Sequence, residues 1–201
     1  YEFEYLADYT TKTHAQKGLV RAVRFPDTGY GVCLAERFDN ARGTINAIGI
    51  YVCDESPTVE IVIDTQREEE LKRFTRTQFE SNRVALKDMG TGEKSKVWQF
   101  DEKGYYMLLL DKPVSVENGF DLYVKYTVDE KSDILVGAGN NSKKDAGFTE
   151  KVSCWAHITG NGHVHQWKNI DYNWSLNVYM TENSFKFRGI EHLKCREYFL
   201  Q

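Results

Sequence analysis

Residues 154–167 read CWAHITGNGHVHQW, gathering a thiol, three imidazoles and two indoles into one short stretch. A thiolate is a nucleophile and a metal ligand. A neutral imidazole is a base or a metal ligand, and an indole offers a flat apolar face with one N–H donor. Gly160-Asn161-Gly162 is a strong turn signal between two alternating runs. With those three residues as the loop, Thr159 opposes His163, His157 opposes His165 and Trp155 opposes Trp167. All six then share one face, because strand side chains alternate with period two. Cys154, Ala156, Ile158, Val164 and Gln166 take the other. A two-residue loop would shift the register and undo these pairs.

Three chemistries fit this hairpin unequally. The letters CWA look like the surroundings of a papain-type nucleophile, C-G-[SA]-C-[WY]. Such a cysteine is activated by a helix N-terminus and a histidine, with its histidine and asparagine about 130–150 residues downstream. Cys154 instead opens a strand-like alternation and is followed by too little chain for that spacing, so it is not expected to be catalytic. His163-Val164-His165 puts two imidazoles on one side of a strand, with His157 as a third candidate ligand. This H-x-H resembles the cupin metal motif, but Asn169 stands where that motif has a glutamate, and no local carboxylate is placed to orient the rings. The third chemistry is stacking: Trp155 and Trp167 form a platform for the C–H face of a sugar, and His157, His165 and Asn161 bond its hydroxyls from the rim. These five are the candidate ligand-binding residues. Trp174 alternates with Leu176 and Val178 and reads as core, while Trp98 fits either role.

The elements that must position this hairpin are strands. From residue 19 onward, GVCLAERF (31–38), TINAIGIYVCD (44–54) and TVEIVIDT (58–65) alternate through Ile48, Ile50 and Val52 and through Val59, Ile61 and Ile63. A second block holds RVALKDM, KVWQF and GYYMLLLDKPVSVENGFDLYVKYTVD. There Phe120, Leu122, Val124, Tyr126 and Val128 point one way and Asp121, Tyr123, Lys125 and Thr127 the other. Many strands at spacings of about ten residues argue for an antiparallel sandwich or barrel. The stretch TQREEELKRFTRTQFES (65–81) breaks the pattern, with Leu71, Phe74 and Phe79 at helical spacing. It reads as a short surface helix whose mixed charges face solvent. The tail from 182 to 201 loses the alternation. No Pro-rich or Ser/Gly-rich linker divides the chain, so one domain over 1–201 is expected.

Composition narrows the function. Apolar residues make up 41% of 201 residues, enough for a core. A net charge of −4 provides no general attraction for phosphate backbones, so nucleic acid is not an expected partner. The longest apolar runs are too short to cross a bilayer. The chain opens at YEFEYLADYT with no leader pattern and reads as a piece of something longer. Cys33, Cys53, Cys154 and Cys195 form no C-x-x-C. A Cys33–Cys53 bridge between consecutive strands and buried free thiols are both open.

The order of features is similar to the lectin-like domain found downstream of papain-family cysteine peptidase domains in anaerobic bacteria and archaea. The resemblance rests on YEFEYLADY at the start, on INAIGIYV and TVEIVI, on GYYMLLLDKPVSVENGFDLYVKYTV, and on SCWAHITGNGHVHQWKNI…WSLNVYM. It covers roughly residues 1–181 and leaves out the 65–81 insertion and the tail. It implies a jelly-roll β-sandwich, an extracellular or cell-surface setting, carbohydrate as partner and an attached peptidase domain as neighbour. The expected function is therefore a non-catalytic carbohydrate-binding or adhesion module. One alternative is a spacer packed on a peptidase domain. The other is a jelly-roll enzyme, either metal-dependent through His163 and His165 or a glycosidase using two of Asp121, Glu60 and Asp64. No cofactor is expected. GAGNNSKKDAGF (137–148) offers Asp145, Asn140 and Asn141 to Ca2+, but without the dense carboxylates of a calcium loop it reads as solvated.

Overall fold

The structure, a computed structural model, describes residues 21–25, 29–39, 41–54, 57–88, 91–127, 134–138, 151–170 and 174–181. The segment 139–150, with the calcium-loop candidates, and the tail from 182 onward, with Cys195, lie outside the described residues. Two antiparallel sheets face each other. One runs β1 (Arg21–Phe25), β10 (Ile134–Ala138), β3 (Gly43–Val52), β8 (Gly104–Val116), β5 (Leu86–Asp88) and β6 (Lys94–Ser95), and β13 (Leu176–Thr181) also pairs with β3. The other runs β12 (Lys168–Asn169), β11 (Lys151–His157), β2 (Val32–Phe38), β9 (Phe120–Thr127), β4 (Thr58–Asp64) and β7 (Trp98–Gln99). The order β1-β10-β3-β8 facing β2-β9-β4-β7 is the nested interleaving of a jelly-roll sandwich.

The alternation seen in the sequence fills the space between the sheets. Leu34, Ile48, Ile50, Ile61, Leu122, Val124 and Trp174 belong to one buried cluster there. Phe38 and Phe120, directly opposed on β2 and β9, stack with ring centroids 4.7 Å apart. The β3–β8 register shifts between Ile45 and Ala47, which lets both Ile45 and Ile48 join the interior. Pro113 lies in the irregular part of β8, where its missing N–H costs the ladder nothing.

The stretch expected to be a helix over 65–81 is only partly one. Helix α1 is Arg76–Asn82, and residues 65–74 cross the outer face of the six-stranded sheet as an irregular strap. The cause is a capping box. Thr75 Oγ1 accepts from Gln78 N while Gln78 Oε1 accepts from Thr75 N, starting the helix at Arg76. Phe79 on the helix and Phe74 on the strap join Cys33, Ala35, Val62, Tyr123, Cys154, Ala156, Ile158 and Val164 in a second buried cluster. The outer face of the sheet is thus a core too. Cys33 lies in it, while Cys53 follows β3 in the opposite sheet, and both thiols are free, so the bridge between them is not formed.

Candidate functional site

The hairpin begins as expected. Thr159 N donates to His163 O, Gly162 N to Thr159 O, and His165 N to His157 O, so Thr159 opposes His163 and His157 opposes His165. Ile158 pairs with Val164. The expected third pair does not form. Trp155 pairs with Lys168 and Cys154 with Asn169, one residue out of step with the turn. The extra residue lies between His165 and Lys168 and sends Trp167 to the opposite face of the sheet.

The two tryptophans therefore do not make a common platform. Trp155 packs against the sandwich interior, with the Phe25 ring 4.8 Å away, His157 edge-on at 4.8 Å and Lys168 Nζ 4.6 Å from the indole centroid. Trp167 lies with Tyr123 in the outer cluster, ring centroids 5.8 Å apart, and its Nε1 donates to Lys72 O on the strap. The returning arm is also bonded to the strap. Phe74 O accepts from Val164 N, drawing the returning arm of the hairpin toward the strap. Gly162, at φ +79°, also has Arg76 side-chain carbons about 3.0 Å from where a Cβ would stand.

What remains on the hairpin's other face is an imidazole and aromatic edge. His165 and Asn161 are exposed and His157 is half-buried. Burial, with the charges of Lys168 and His165, holds the His157 imidazole below its ordinary value of 6.5. Tyr30, 61% exposed, lies against Gly160 at the tip. Among the described residues no three His, Cys, Asp or Glu side chains are arranged to hold a metal ion. Cys154 is buried on a strand and donates to Asn169 Oδ1 at 2.9 Å. Cys33 is fully buried, which pushes its thiol far up.

The concave site lies instead around the strap. Most of the charge run over 65–81 is solvated as expected, with Glu68, Glu69, Glu70, Arg73 and Arg76 exposed, but Arg67 and Lys72 turn back to the sheet. Arg37 on β2 bonds Asp121 through Nε and Nη2, each at 2.9 Å, and also donates to the carbonyls of Glu68 and Glu69. Lys72 Nζ stands 2.8 Å from Asp64, Arg67 pairs with Asp39, and Arg83 Nη1 lies 2.7 Å from Glu60. Lys125, nearly buried, stands 3.8 Å from the other Glu60 oxygen. The three acids considered as glycosidase candidates thus each hold a cation. Burial pushes the Asp121 carboxyl above the usual carboxylate range even against the pull of Arg37. Gly119, at φ +75°, allows the clamp: a Cβ there would sit 2.6 Å from Arg67 Nη2, which donates to Asn118 O.

Between strap, α1 and the end of β4 lies a cleft of about 510 Å3. Half-buried Ile63 and Leu71 supply the apolar surface over the buried Val62 and Phe74, and Asp64, Glu68, Glu70, Lys72, Arg73, Gln78 and Asn82 supply the polar lining. Reading 65–81 as one helix hid these residues. The signal that reveals them is Thr75-x-x-Gln78, which dates the helix start and leaves the preceding ten residues free to cross the sheet. Compared with known proteins, the chain matches no family model, no curated protein and no solved structure.

Proposed function

We propose that this chain is a non-catalytic binding module, working outside the cell or at its surface, that takes carbohydrate in the strap cleft. The cleft itself carries the reading. A sugar presents C–H surface together with hydroxyls that donate and accept, and it needs a wall with both properties. Leu71 and Ile63, both half-buried, supply the apolar part. Arg73 donates and Glu70 accepts, and neither forms an ion pair among the described residues. Gln78 and Asn82 spend one side-chain atom each inside α1 and keep the other for a ligand. The hairpin edge with His157, His165, Asn161 and Tyr30 is a secondary contact surface in this reading. The lectin-like resemblance of the sequence supports carbohydrate as the ligand class only, because the strap lies outside the part of the chain it covers.

A spacer role is the second reading, and one observation favours it: Trp155 and Trp167 lie on opposite faces of the sheet, each half-buried against its own cluster, so they offer no shared stacking platform. Calorimetric titration with a panel of soluble oligosaccharides, with and without EDTA, separates the two. Saturable binding indifferent to EDTA and weakened about tenfold or more by Arg73→Ala supports the cleft. Trp167, bonded to the strap at Lys72, serves as a fluorescent reporter of the same event. A folded sample silent across the panel overturns the carbohydrate reading and leaves the spacer. Binding abolished by EDTA moves the site to the hairpin histidines.

A further inference from the structure

A second concavity of about 370 Å3 flanks the same strap, lined by Arg37, Asp39, Thr65, Gln66, Arg67, Glu68 and Asn118. It shares Glu68 with the first cleft, so the two meet at that residue. Most of the charges in their walls are already matched within the protein. Arg37 is committed to Asp121, Arg67 to Asp39 and Lys72 to Asp64. An anionic ligand would find these cations occupied and would meet the Glu68 carboxylate at the junction. A strongly basic ligand would face Arg73, and Glu68 with Glu70 leaves only a small negative surplus. The remaining groups in the second concavity are the exposed hydroxyl of Thr65 and the exposed amides of Gln66 and Asn118. Such groups bond neutral hydroxyls in either direction.

Resting on the carbohydrate reading above, we infer that the ligand is an uncharged oligosaccharide chain that runs along the strap, past Glu68, and occupies both concavities. Units in the second concavity add contacts to a chain already held in the first, so they strengthen binding through effective concentration.

The test is a chain-length series, dimer to hexamer, of β-1,4-linked glucose and N-acetylglucosamine oligomers. Oligogalacturonates and oligolysines of matched length serve as charged controls, all titrated calorimetrically. A neutral series should gain about tenfold or more in affinity from dimer to pentamer and then level off, with both charged series at least about tenfold weaker than the neutral pentamer. In the Gln66→Ala/Asn118→Ala double variant, with its circular dichroism and melting checked against the parent, the pentamer should bind no better than the dimer. Equal affinity for dimer and pentamer overturns the extended site while leaving the carbohydrate reading in place. Preference for galacturonate or oligolysine overturns the neutral-chain assignment. Silence toward every probe overturns both readings.

Discussion

Along β9 the two sets of side chains are almost equally removed from water, yet they reach that state differently. Leu122, Val124 and Tyr126 face the other sheet, where alternate apolar residues from many strands close the gap. Asp121, Tyr123 and Lys125 face outward and are buried only because the strap and α1 cover them. On the inner face stability scales with apolar area and no single contact is decisive. On the outer face, carboxylates and cations have left water and need their partners, so the covering segment is held by a few directional bonds. The same difference places the concavities. Two sheets pack flush, whereas a strap held at a few points leaves clefts beside it.

Substitutions can break or sharpen this contrast. The largest loss belongs to the inner face. Trp174 is fully buried and donates through Nε1 to Cys154 O at 2.9 Å. Trp174→Ala should cost about 3–5 kcal/mol in denaturant unfolding; a loss near that of a surface site would show that the sandwich interior is not one sealed core. On the outer face, Arg37→Met leaves Asp121 buried without its guanidinium and frees the Glu68 and Glu69 carbonyls. About 3 kcal/mol should be lost at neutral pH. The pH dependence gives the sharper test. A carboxyl whose folded value is raised is least costly when protonated, below its unfolded pKa, and its cost grows as pH rises through the folded value. The Arg37→Met deficit should therefore shrink on acidification, and a deficit flat with pH would contradict the burial of Asp121.

Thr75→Ala removes half of the capping box and should cost about 1 kcal/mol, loosening the strap more than the sandwich. Amide exchange should rise first at residues 65–82, and uniform destabilisation would mean that strap and sandwich unfold as one unit. The smallest effect is at the hairpin. His157 titrates below 6.5, so its contribution is present above that pH and is lost as pH falls through the folded value. Thermal unfolding followed from pH 7 to 5 should lose part of its downward slope in His157→Gln, and an unchanged slope would place the imidazole in open water.

Much of this was legible in the chain. The alternation of Ile48, Ile50 and Val52 and of Phe120 through Tyr126 located the interior strands, because period two is a local property that any half-buried sheet imposes. The Gly160-Asn161-Gly162 turn and the Thr159–His163 and His157–His165 pairs followed from the same rule. The Trp155–Trp167 pair did not survive, because a register two residues further on depends on what the returning arm bonds. Its partners, Phe74 O and Lys72 O, lie about ninety residues earlier.

The sequence alone was enough for the all-β class, the inner faces of the strands and the hairpin tip, whereas the helix start at Arg76 was missed although Thr75 and Gln78 carry its local signal. Each is set by neighbours within a few positions. Only the tertiary structure decided that residues 65–74 cross the sheet, that Asp121 and Lys125 are buried, and that the indoles part company. Those outcomes hang on cross-strand charges and backbone bonds between residues far apart in the chain, whose pairing the order of letters does not specify.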